Sequence, residues 1–305
     1  MLSSGIRGMV GVNFGRSIGP DSLIRLSRYA EKLGYHSVWV PETWGRDPLV
    51  LLSMLSQKTQ KIKLATCIVN IFSKTPAQIA MASGTINEIS GGRFILGIGA
   101  SGSRVIEDLH GVKFEKPVQR MGETVDIVTS LLSGKASNHD GEIFKTRDFY
   151  LNFKTRIPDI YIAALGPKML SLAREKGNIL FNMKPIQEIK KVKKGKAKIA
   201  VVLPCGNERA RKGTVAFYIG QMGTHYHKAI REVFPEADEI RELWNKGKRE
   251  SAAKAVTRGM LSSVTVSDSL DGFLPSVDIP ILGFDSRVQK ETEIKAQLKR
   301  FSQWA

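Results

Sequence analysis

One stretch decides the fold: Thr85-Ile86-Asn87-Glu88-Ile89-Ser90-Gly91-Gly92-Arg93-Phe94-Ile95-Leu96-Gly97-Ile98-Gly99. Its first part completes a helix that we predict from Pro76 to Ile89, with proline at the start, where its missing N–H costs nothing. The glycine pair turns the chain, and the apolar run Phe94–Gly99 predicts a buried strand. A helix that leads by a short turn into a buried strand is typical of a parallel sheet with helices outside.

The same alternation of short apolar runs and longer amphipathic segments continues on both sides of this stretch. Predicted strands occupy Met9–Phe14, Ser37–Pro41, Ile62–Val69, Phe94–Gly99, Asp159–Ala163, Ile179–Met183, Ala197–Leu203 and Ile279–Gly283. Predicted helices occupy Asp21–Leu33, Pro48–Thr59, Pro76–Ile89, Val118–Leu132, Pro167–Lys176, Ile186–Lys194, Glu208–Val233, Glu236–Lys248 and Lys290–Phe301. Eight strands in β/α order favour a closed (β/α)8 TIM barrel over an open doubly wound sheet.

One polar segment interrupts the repeat. Residues Ser137–Phe153, which include Gly141, predict an insertion with short strands after the fourth β/α unit. A length of 305 residues is ordinary for one α/β barrel. Because no low-complexity linker divides the chain, we predict a single domain over residues 1–305.

The chain is strongly basic, with 46 Lys and Arg against 29 Asp and Glu and a net charge of +17. This charge indicates a solvated basic surface, a nucleic-acid partner or an anionic cofactor. The basic residues are densest from Lys184 to Lys198, at Lys184, Lys190, Lys191, Lys193, Lys194, Lys196 and Lys198. No nucleic-acid recognition motif accompanies them, so nucleic acid is not an expected partner.

Other function classes are excluded by what the sequence lacks. No apolar run of about 18 residues predicts a membrane span, and Met1–Gly8 has no basic region followed by an apolar core, so we expect a cytoplasmic location. The two cysteines and the absence of CxxC or HExxH spacing predict neither a disulfide framework nor a metal site. No Ser-His-Asp or Cys-His combination can be assembled, and we expect His225 and His227 at the polar surface.

In a (β/α)8 barrel the active site lies at the carboxyl ends of the strands. Glu42 ends the second strand and could act as general acid or base, hold a ligand's donors, or interact with a helix dipole. The loop Gly99-Ala100-Ser101-Gly102 either brings backbone close to a ligand or makes a plain tight turn. The run Ala164-Leu165-Gly166-Pro167-Lys168 enters a helix, and it predicts a phosphate site or an ordinary helix start with a surface lysine.

Two segments, Val38-Trp39-Val40-Pro41-Glu42 and Ala65–Gly122, resemble the luciferase-like monooxygenase superfamily. The run from Thr85 to Gly99 is similar to the superfamily's most recognisable motif, in which a helix ends at SGGR and a strand ends in a glycine loop. The continuation Ala100–Glu107 resembles the coenzyme F420-dependent branch, as do His110-Gly111, Lys116-Pro117 and Ala163–Lys168. The resemblance is faint in the later part of the chain.

The resemblance implies a barrel of the bacterial-luciferase type that binds the deazaflavin F420 at the strand ends. It implies a cis peptide bond between Cys67 and Ile68, followed by Val69 and Asn70 against the ring system. It also implies two further groups of cofactor-binding residues, a loop near the cofactor's side chain and a phosphate-binding turn. These are Gly99, Ala100, Ser101 and Gly102 in the loop, and Ala164, Leu165, Gly166, Pro167 and Lys168 in the turn.

Two departures from the family pattern leave the substrate open. Glu42-Thr43 stands where several members have an Asp-His pair, and threonine cannot relay a proton in the same way at neutral pH. Asn13 stands where members that reduce methylene-tetrahydromethanopterin have a glutamate in the first strand. The catalytic candidates are therefore Glu42, Thr43 and Asn13, with both acid/base positions altered.

We predict an F420-dependent oxidoreductase that transfers a hydride between C5 of the deazaflavin and an organic small molecule. One alternative is an FMN-dependent luciferase-like monooxygenase or reductase, with a flavin on the same barrel. Another is a non-catalytic barrel that binds a cofactor or nucleic acid. The resemblance also implies a homodimer or higher homo-oligomer, for which the predicted helices Pro48–Thr59 and Pro76–Ile89 carry enough apolar residues.

Overall fold

A computed structural model describes residues 9–192 and 195–305 of the chain. Met1–Gly8, on which the expected cytoplasmic location depends, lies outside the described residues, as do Lys193 and Lys194 of the basic cluster. The described residues form two compact units. The internal unit is Val38–Ile179, and the terminal unit combines the residues up to Ser37 with Leu180–Ala305.

Eleven strands lie in the described residues. They are β1 (Gly11–Asn13), β2 (Ser37–Val40), β3 (Lys63–Thr66), β4 (Val69–Asn70), β5 (Phe94–Gly99), β6 (Ser137–Asp140), β7 (Lys145–Phe149), β8 (Asp159–Ala163), β9 (Asn178–Asn182), β10 (Ile199–Pro204) and β11 (Ile279–Gly283). The predicted bounds of β5, β8 and β11 are confirmed at both ends. In β5 and β11 a continuous apolar run coincides with burial, and in β8 such a run follows the exposed Asp159. These runs make the limits of the strands visible in the sequence.

Twelve α-helices alternate with these strands or extend the loops between them. They are α1 (Pro20–Lys32), α2 (Pro48–Ser56), α3 (Pro76–Ile89), α4 (Pro117–Leu132), α5 (Pro167–Lys176), α6 (Ile186–Val192), α7 (Glu208–Gln221), α8 (Thr224–Arg231), α9 (Ala237–Asn245), α10 (Arg249–Lys254), α11 (Arg258–Val264) and α12 (Glu291–Phe301). Each of the first five begins with proline, whose fixed φ and missing N–H suit the first helical turn. No helix in the described parts of the chain is both long and apolar enough to span a bilayer.

In the internal unit, β5 is the central strand, and all six of its residues are buried. It pairs in parallel with β3, β4 and β8. The helices α2, α3 and α4 pack against one another in chain order and bury apolar side chains such as Leu52, Ile79 and Val128. The strand of the deciding stretch is therefore the strand around which the internal unit is organised.

The predicted strand Ile62–Val69 is two strands in the structure. The chain leaves β3 at Thr66, passes a cis peptide bond between Cys67 and Ile68, and continues as β4. The expected cis bond is thus confirmed, but the prediction of one continuous strand was wrong. The apolar pattern runs on unbroken through this bend of the backbone, so periodicity alone does not reveal it.

The predicted insertion after the fourth β/α unit is confirmed as an antiparallel hairpin of β6 and β7. The buried carboxylate of Glu123, on α4, accepts backbone N–H groups from Glu142, Ile143 and Phe144 at 2.8–3.3 Å. Burial alone would raise the pKa of Glu123, but the donors of Phe144 and Ile143 hold it below its ordinary value. One carboxylate therefore ties the hairpin to its helix.

In the terminal unit, β11 lies between β1 and β10 and is parallel to both. All six residues of β10 are buried. The helices α7 to α11 fall between β10 and β11 in the chain and share an apolar core of their own, which includes Val215, Ile219, Ile240 and Met260. This group of helices is a second insertion into the β/α repeat, after the hairpin of β6 and β7.

The prediction of one long helix over Glu208–Val233 was wrong. The helix ends at Gln221 and a new one begins at Thr224, because Gly223 has a φ of 97°, which no right-handed helix contains. The expectation that His227 lies at the surface was also wrong. His227 is buried on α8, with its Nε2 atom 2.7 Å from Oδ1 of Asp238, whereas His225 is exposed.

Arg93, the last residue of the SGGR motif, joins three segments of the internal unit. Its guanidinium donates at least five hydrogen bonds of 2.8–3.0 Å, to the backbone oxygens of Ser90, Ser56, Thr59 and Ile62 and to the Thr59 hydroxyl. The acceptors lie at the turn after α3 and along the connection from α2 to β3. Because a planar guanidinium presents five donors in a fixed arrangement, no other side chain can satisfy this set.

The residues around Arg93 complete the same turn. Gly91 and Gly92 have φ values of 67° and 82°, in the left-handed region that favours glycine. Asn87 accepts the N–H of Phe94 at 3.3 Å and donates to the Arg156 backbone oxygen at 2.7 Å. The motif is therefore a structural device that starts β5 at a defined position.

We expect Arg93→Met to lower the free energy of unfolding by about 3 kcal/mol, because several partly buried carbonyl oxygens lose charge-assisted donors. Urea unfolding of the full chain would measure the change. Arg104→Met is the matched control, since Arg104 is exposed and pairs with the exposed Asp108. Equal stability of Arg93→Met and Arg104→Met would contradict the structural role of the motif.

Candidate functional site

A cleft of about 580 Å³ opens in the internal unit at the loops that follow β2, β4 and β5. Its wall combines acidic, basic, aromatic and apolar side chains. The lining residues are Glu42, Thr43, Trp44, Gly45, Asp47, Leu49, Ser73, Lys74, Gln78, Ala82, Leu109 and His110. Two of the three catalytic candidates, Glu42 and Thr43, thus lie together on this wall.

The carboxylate of Glu42 has donors on both oxygens. Its Oε2 atom accepts the backbone N–H of Asn70 at 2.7 Å and the Asn70 side-chain amide at 3.3 Å. Its Oε1 atom accepts Nζ of Lys74 at 2.5 Å. Glu42 is buried, so these contacts replace the water that a carboxylate otherwise requires. They tie the end of β2 to the end of β4.

Lys74 extends this contact to a helix. Its ammonium group also lies 3.2 Å from Oδ2 of Asp47, whose other oxygen accepts the N–H groups of Leu49 and Val50 and so caps α2. Burial alone would lower the pKa of Lys74, but Glu42 and Asp47 raise it above its ordinary value. Lys74 is therefore a fixed cation between two carboxylates.

The turn after β4 is held from within by Asn70. Its Oδ1 atom accepts the N–H groups of Phe72 at 3.0 Å and of Ser73 at 2.8 Å. Val69 and Asn70 are buried and pair with Ile98 and Gly99 of β5. Cys67 and Ile68, which precede them, are partly exposed. The predicted ring-contact residues therefore form one ordered segment beside the carboxyl end of β5.

Gly99 is required where the predicted loop begins. A Cβ atom at this position would lie 2.8 Å from Cγ1 of Ile68 and 3.1 Å from Cβ of Ala163. The loop then continues through Ala100 to Ser101, which has a left-handed φ of 61°, and to Gly102. The close approach of Gly99 to Ile68 links two of the predicted cofactor-binding groups.

The predicted phosphate-binding turn lies at the start of α5. Ala164 is buried and Leu165 is half-buried, whereas Gly166, Pro167 and Lys168 are exposed. Gly166 is the N-terminal cap and has no side chain to accept the first N–H groups of the helix. A Cβ atom at Gly166 would meet nothing within 4 Å, so the approach to this helix end is open.

Asn13, the third catalytic candidate, lies in the terminal unit. It is buried, and its Oδ1 atom accepts the N–H of Gly15 at 2.8 Å, which shapes the turn after β1. Sequence reasoning missed Lys74 and Asp47, and it quoted His110 only as part of the family resemblance. Lys74 directly precedes the N-terminal cap of α3, and Asp47 is itself the N-terminal cap of α2. A charged residue at or next to a predicted helix start was the signal that could have identified them.

The basic cluster Lys184–Lys198 is not one continuous charged face in its described part. Lys184 is buried, whereas Lys190, Lys196 and Lys198 are exposed. Lys191 pairs with Glu188 at 2.7 Å. Within the described residues, no group of three or more His, Cys, Asp and Glu side chains could hold a metal ion.

A family comparison accounts for the deciding stretch. The family described as luciferase-like monooxygenase matches residues 5–271 of the chain. The chain belongs to this family. The family resemblance predicted from the SGGR motif is therefore confirmed.

Curated relatives of this luciferase-like chain include reductases and dehydrogenases. The 5,10-methylenetetrahydromethanopterin reductase of Archaeoglobus fulgidus is 43% identical over 177 residues, which are 56% of this chain and 53% of the relative. The F420-dependent glucose-6-phosphate dehydrogenase of Amycolatopsis mediterranei is 28% identical over 174 residues, 52% of either chain. The chain thus spans about half the length of the curated relatives that it matches.

A solved structure shows the fold of this luciferase-like chain. The coenzyme F420-dependent tetrahydromethanopterin reductase from Methanopyrus kandleri matches with a TM-score of 0.83 and 21% identity, over 98% of this chain and 100% of the other. The predicted (β/α)8 barrel of the luciferase-like type is therefore confirmed.

We expect the ion pair of Glu42 and Lys74 to show strong energetic coupling, because removal of either partner leaves a poorly solvated charge. A double-mutant cycle of Glu42→Gln and Lys74→Met, followed by urea unfolding, should give a coupling energy of about 1–3 kcal/mol. The exposed pair Asp140 and Lys145 is the matched control, and Asp140→Asn with Lys145→Met should show no measurable coupling. Additive effects of the Glu42 and Lys74 substitutions would show that the two side chains do not stabilise the folded chain as a pair.

Gly99→Ala should lower the free energy of unfolding by about 1–3 kcal/mol, because the new methyl group overlaps Ile68 and Ala163. Gly213→Ala is the control, since Gly213 lies within α7 and its Cβ would meet nothing within 4 Å. That substitution should raise stability by about 0.5–1 kcal/mol through helix propensity. A Gly99→Ala protein as stable as the wild type would show that the close approach to Ile68 is not a constraint.

Proposed function

We propose that this protein is a coenzyme F420-dependent oxidoreductase that transfers a hydride between C5 of the deazaflavin and an organic substrate. The observation that carries the proposal is the anchored turn after β4, in which Glu42 holds Asn70 and Gly99 admits Ile68. The family resemblance assigns Val69 and Asn70, which follow the Cys67-Ile68 bond, to the ring, and it assigns Gly99 to the loop near the cofactor's side chain. Relatives named as a methylenetetrahydromethanopterin reductase and as an F420-dependent dehydrogenase support the same reaction type.

The residues at the ends of β4 and β5 fit a flat ring. Bound F420 would supply the hydride donor or acceptor at C5, which is the redox chemistry that side chains lack. Ile68 offers a partly exposed apolar surface, and Val69 and Asn70 hold it in position from the buried side. The absence of a side chain at Gly99 leaves Ile68 room to keep this position.

The start of α5 fits the anionic part of the same cofactor. Gly166 leaves the first N–H groups of α5 without a side-chain cap, and Lys168 adds a positive charge in the first turn. A helix N-terminus with an adjacent lysine is suited to a phosphodiester. Gly99, Ala100, Ser101 and Gly102 would border the chain that connects ring and phosphate.

Glu42 would act by positioning. Both of its oxygens have protein donors, so Glu42 would hold the turn after β4 in place. This role differs from the alternative in which Glu42 acts as general acid or base. Thr43 lines the cleft and could donate or accept a hydrogen bond to substrate. Among the described residues that line the cleft, His110 has the side-chain type best suited to proton transfer at neutral pH, so we assign that role to His110. Asn13 would shape the turn after β1.

Three further predictions accompany this function. A homodimer would bury the apolar side chains that α2 and α3 expose, namely Val50, Met81 and Ile89, which are 68%, 50% and 40% exposed. The cytoplasmic location and the single domain over residues 1–305 stay predictions of the sequence.

Cofactor choice is the direct test. The purified chain should bind F420, with a change in its absorption spectrum and a higher melting temperature, because a ligand that binds only the folded state stabilises it. FMN at the same concentration should change neither quantity. Tight FMN binding without an effect of F420 would replace the proposal by the flavin-dependent alternative.

Lys168→Met should weaken F420 binding about ten-fold, because one charge-assisted contact to phosphate is lost. Binding of the truncated deazaflavin, which has only the ribityl chain, should stay unchanged. Lys176→Met is the control on the same helix, since Lys176 lies at the other end of α5 and pairs with Asp126. Equal losses for the two variants, or a loss with the truncated deazaflavin, would show that the start of α5 does not hold the phosphate.

A further inference from the structure

Two arginines of the terminal unit pack against the same aromatic ring. The guanidinium carbon of Arg16 lies 4.5 Å from the centre of the Phe217 ring, and that of Arg287 lies 5.4 Å from it. Arg16 follows β1, Arg287 follows β11, and Phe217 belongs to α7. We propose that Arg16 and Arg287 form a binding site for a carboxylate or phosphate group carried by a ligand of this enzyme, which rests on the proposed F420-dependent function.

The turn that carries Arg16 is fixed against the segment after β11. The backbone oxygen of Asn13 accepts the N–H of Phe284 at 2.7 Å, and the rings of Phe14 and Phe284 stack. Gly15 has a φ of 77°, and a Cβ atom there would lie 2.7 Å from the Phe284 backbone oxygen. Only glycine fits this approach, so the position of Arg16 is defined by the backbone.

Arg287 is held by one edge of its guanidinium. Asp285 accepts Nε at 2.8 Å and Nη2 at 2.5 Å, and it also accepts the Arg287 backbone N–H at 3.0 Å. The Asp285 backbone is held in turn by Gln289, whose Oε1 atom accepts its N–H at 2.8 Å. The Nη1 edge takes no part in this ion pair, so it can serve a second anion.

The charges near Phe217 favour an incoming anion. Burial alone would raise the pKa of Asp285, but Arg287 keeps it below its ordinary value, so the carboxylate is ionised at neutral pH. Burial lowers the pKa of Arg16, and the charge of Arg287 lowers it further. The two guanidiniums converge on one ring, and a carboxylate or phosphate is the group that guanidiniums bind through charge-assisted, bidentate hydrogen bonds.

The position in the fold indicates what brings the anion. Arg16 and Arg287 follow the carboxyl ends of β1 and β11, and in (β/α)8 barrels the loops at this end of the strands form the active site. Phe217 is buried and keeps both guanidiniums against an apolar face, where electrostatic contacts are stronger than in water. Two sources share the required chemistry: an acidic substrate, or the phosphate and glutamate groups of F420.

The test uses the full chain and inorganic phosphate, measured as the phosphate concentration that gives half the maximal rise in melting temperature at constant ionic strength. Arg16→Met and the double variant Asp285→Asn/Arg287→Met should each weaken phosphate binding at least ten-fold. The double variant removes the ion pair as a whole, so no buried carboxylate is left unpaired. Arg16→Lys serves as a second variant that keeps the charge, and it should retain part of the binding.

Arg249→Met is the matched control. Arg249 also stacks on an aromatic ring of the helices between β10 and β11, with its guanidinium carbon 4.0 Å from the centre of the Trp244 ring. Its substitution should change phosphate binding less than two-fold. Unchanged phosphate binding in both site variants, or an equal loss in Arg249→Met, would overturn the proposed site.

The source of the anion follows from titrations with F420 and with the truncated deazaflavin, which has only the ribityl chain. If the site variants bind both compounds like the wild type and lose only phosphate, the anion belongs to the substrate. If they lose F420 at least ten-fold and keep the truncated compound, the anion belongs to the cofactor. A wild type that binds phosphate through these arginines and no F420 at all would contradict the proposed function and leave the anion site standing.

Discussion

The carboxylate of Glu42 is the constraint on which the candidate site depends. A buried carboxylate is tolerated only when protein donors replace its water, and here the donors come from the turn after β4 and from Lys74. Lys74 stands next to the cap of α3, and its second partner, Asp47, is the cap of α2. One set of charges therefore positions two strand ends and the first turns of two helices. Substitution of Glu42, Lys74 or Asp47 would therefore disturb the contacts of the other two residues.

The sequence was informative where local chemistry and burial agree. Five helix starts carry proline, and the strands β5, β8 and β11 contain uninterrupted apolar runs, so these limits could be predicted closely. Gly223 ended a predicted helix because one backbone angle outweighed a continuous helical pattern. The contact between Glu42 and Asn70 joins residues that are 28 positions apart, and the contact between Glu42 and Lys74 joins residues that are 32 apart. Such partners follow from the packing of strands and helices, which a single sequence does not encode at any fixed spacing.

The high basic charge has several separate uses in the structure. Arg93 donates to backbone oxygens, and Lys74 lies between two carboxylates. Lys184, the first residue of the basic cluster, is buried. Net charge alone therefore does not identify a partner, because some of the basic side chains are buried or bind groups of the protein itself. Lys168, Arg16 and Arg287, which follow strand ends, are the cations that we propose for ligand binding.

Burial keeps the thiols of both cysteines of the chain protonated at neutral pH. Burial raises the pKa of the Cys67 thiol to about 12, although the residue as a whole is partly exposed, and it raises that of Cys205 to about 12 as well. At pH 7 roughly one thiol in 100,000 is then ionised, and the thiolate is the form that oxidants and alkylating reagents attack. We therefore expect both thiols of the folded chain to react slowly with peroxide and with alkylating reagents.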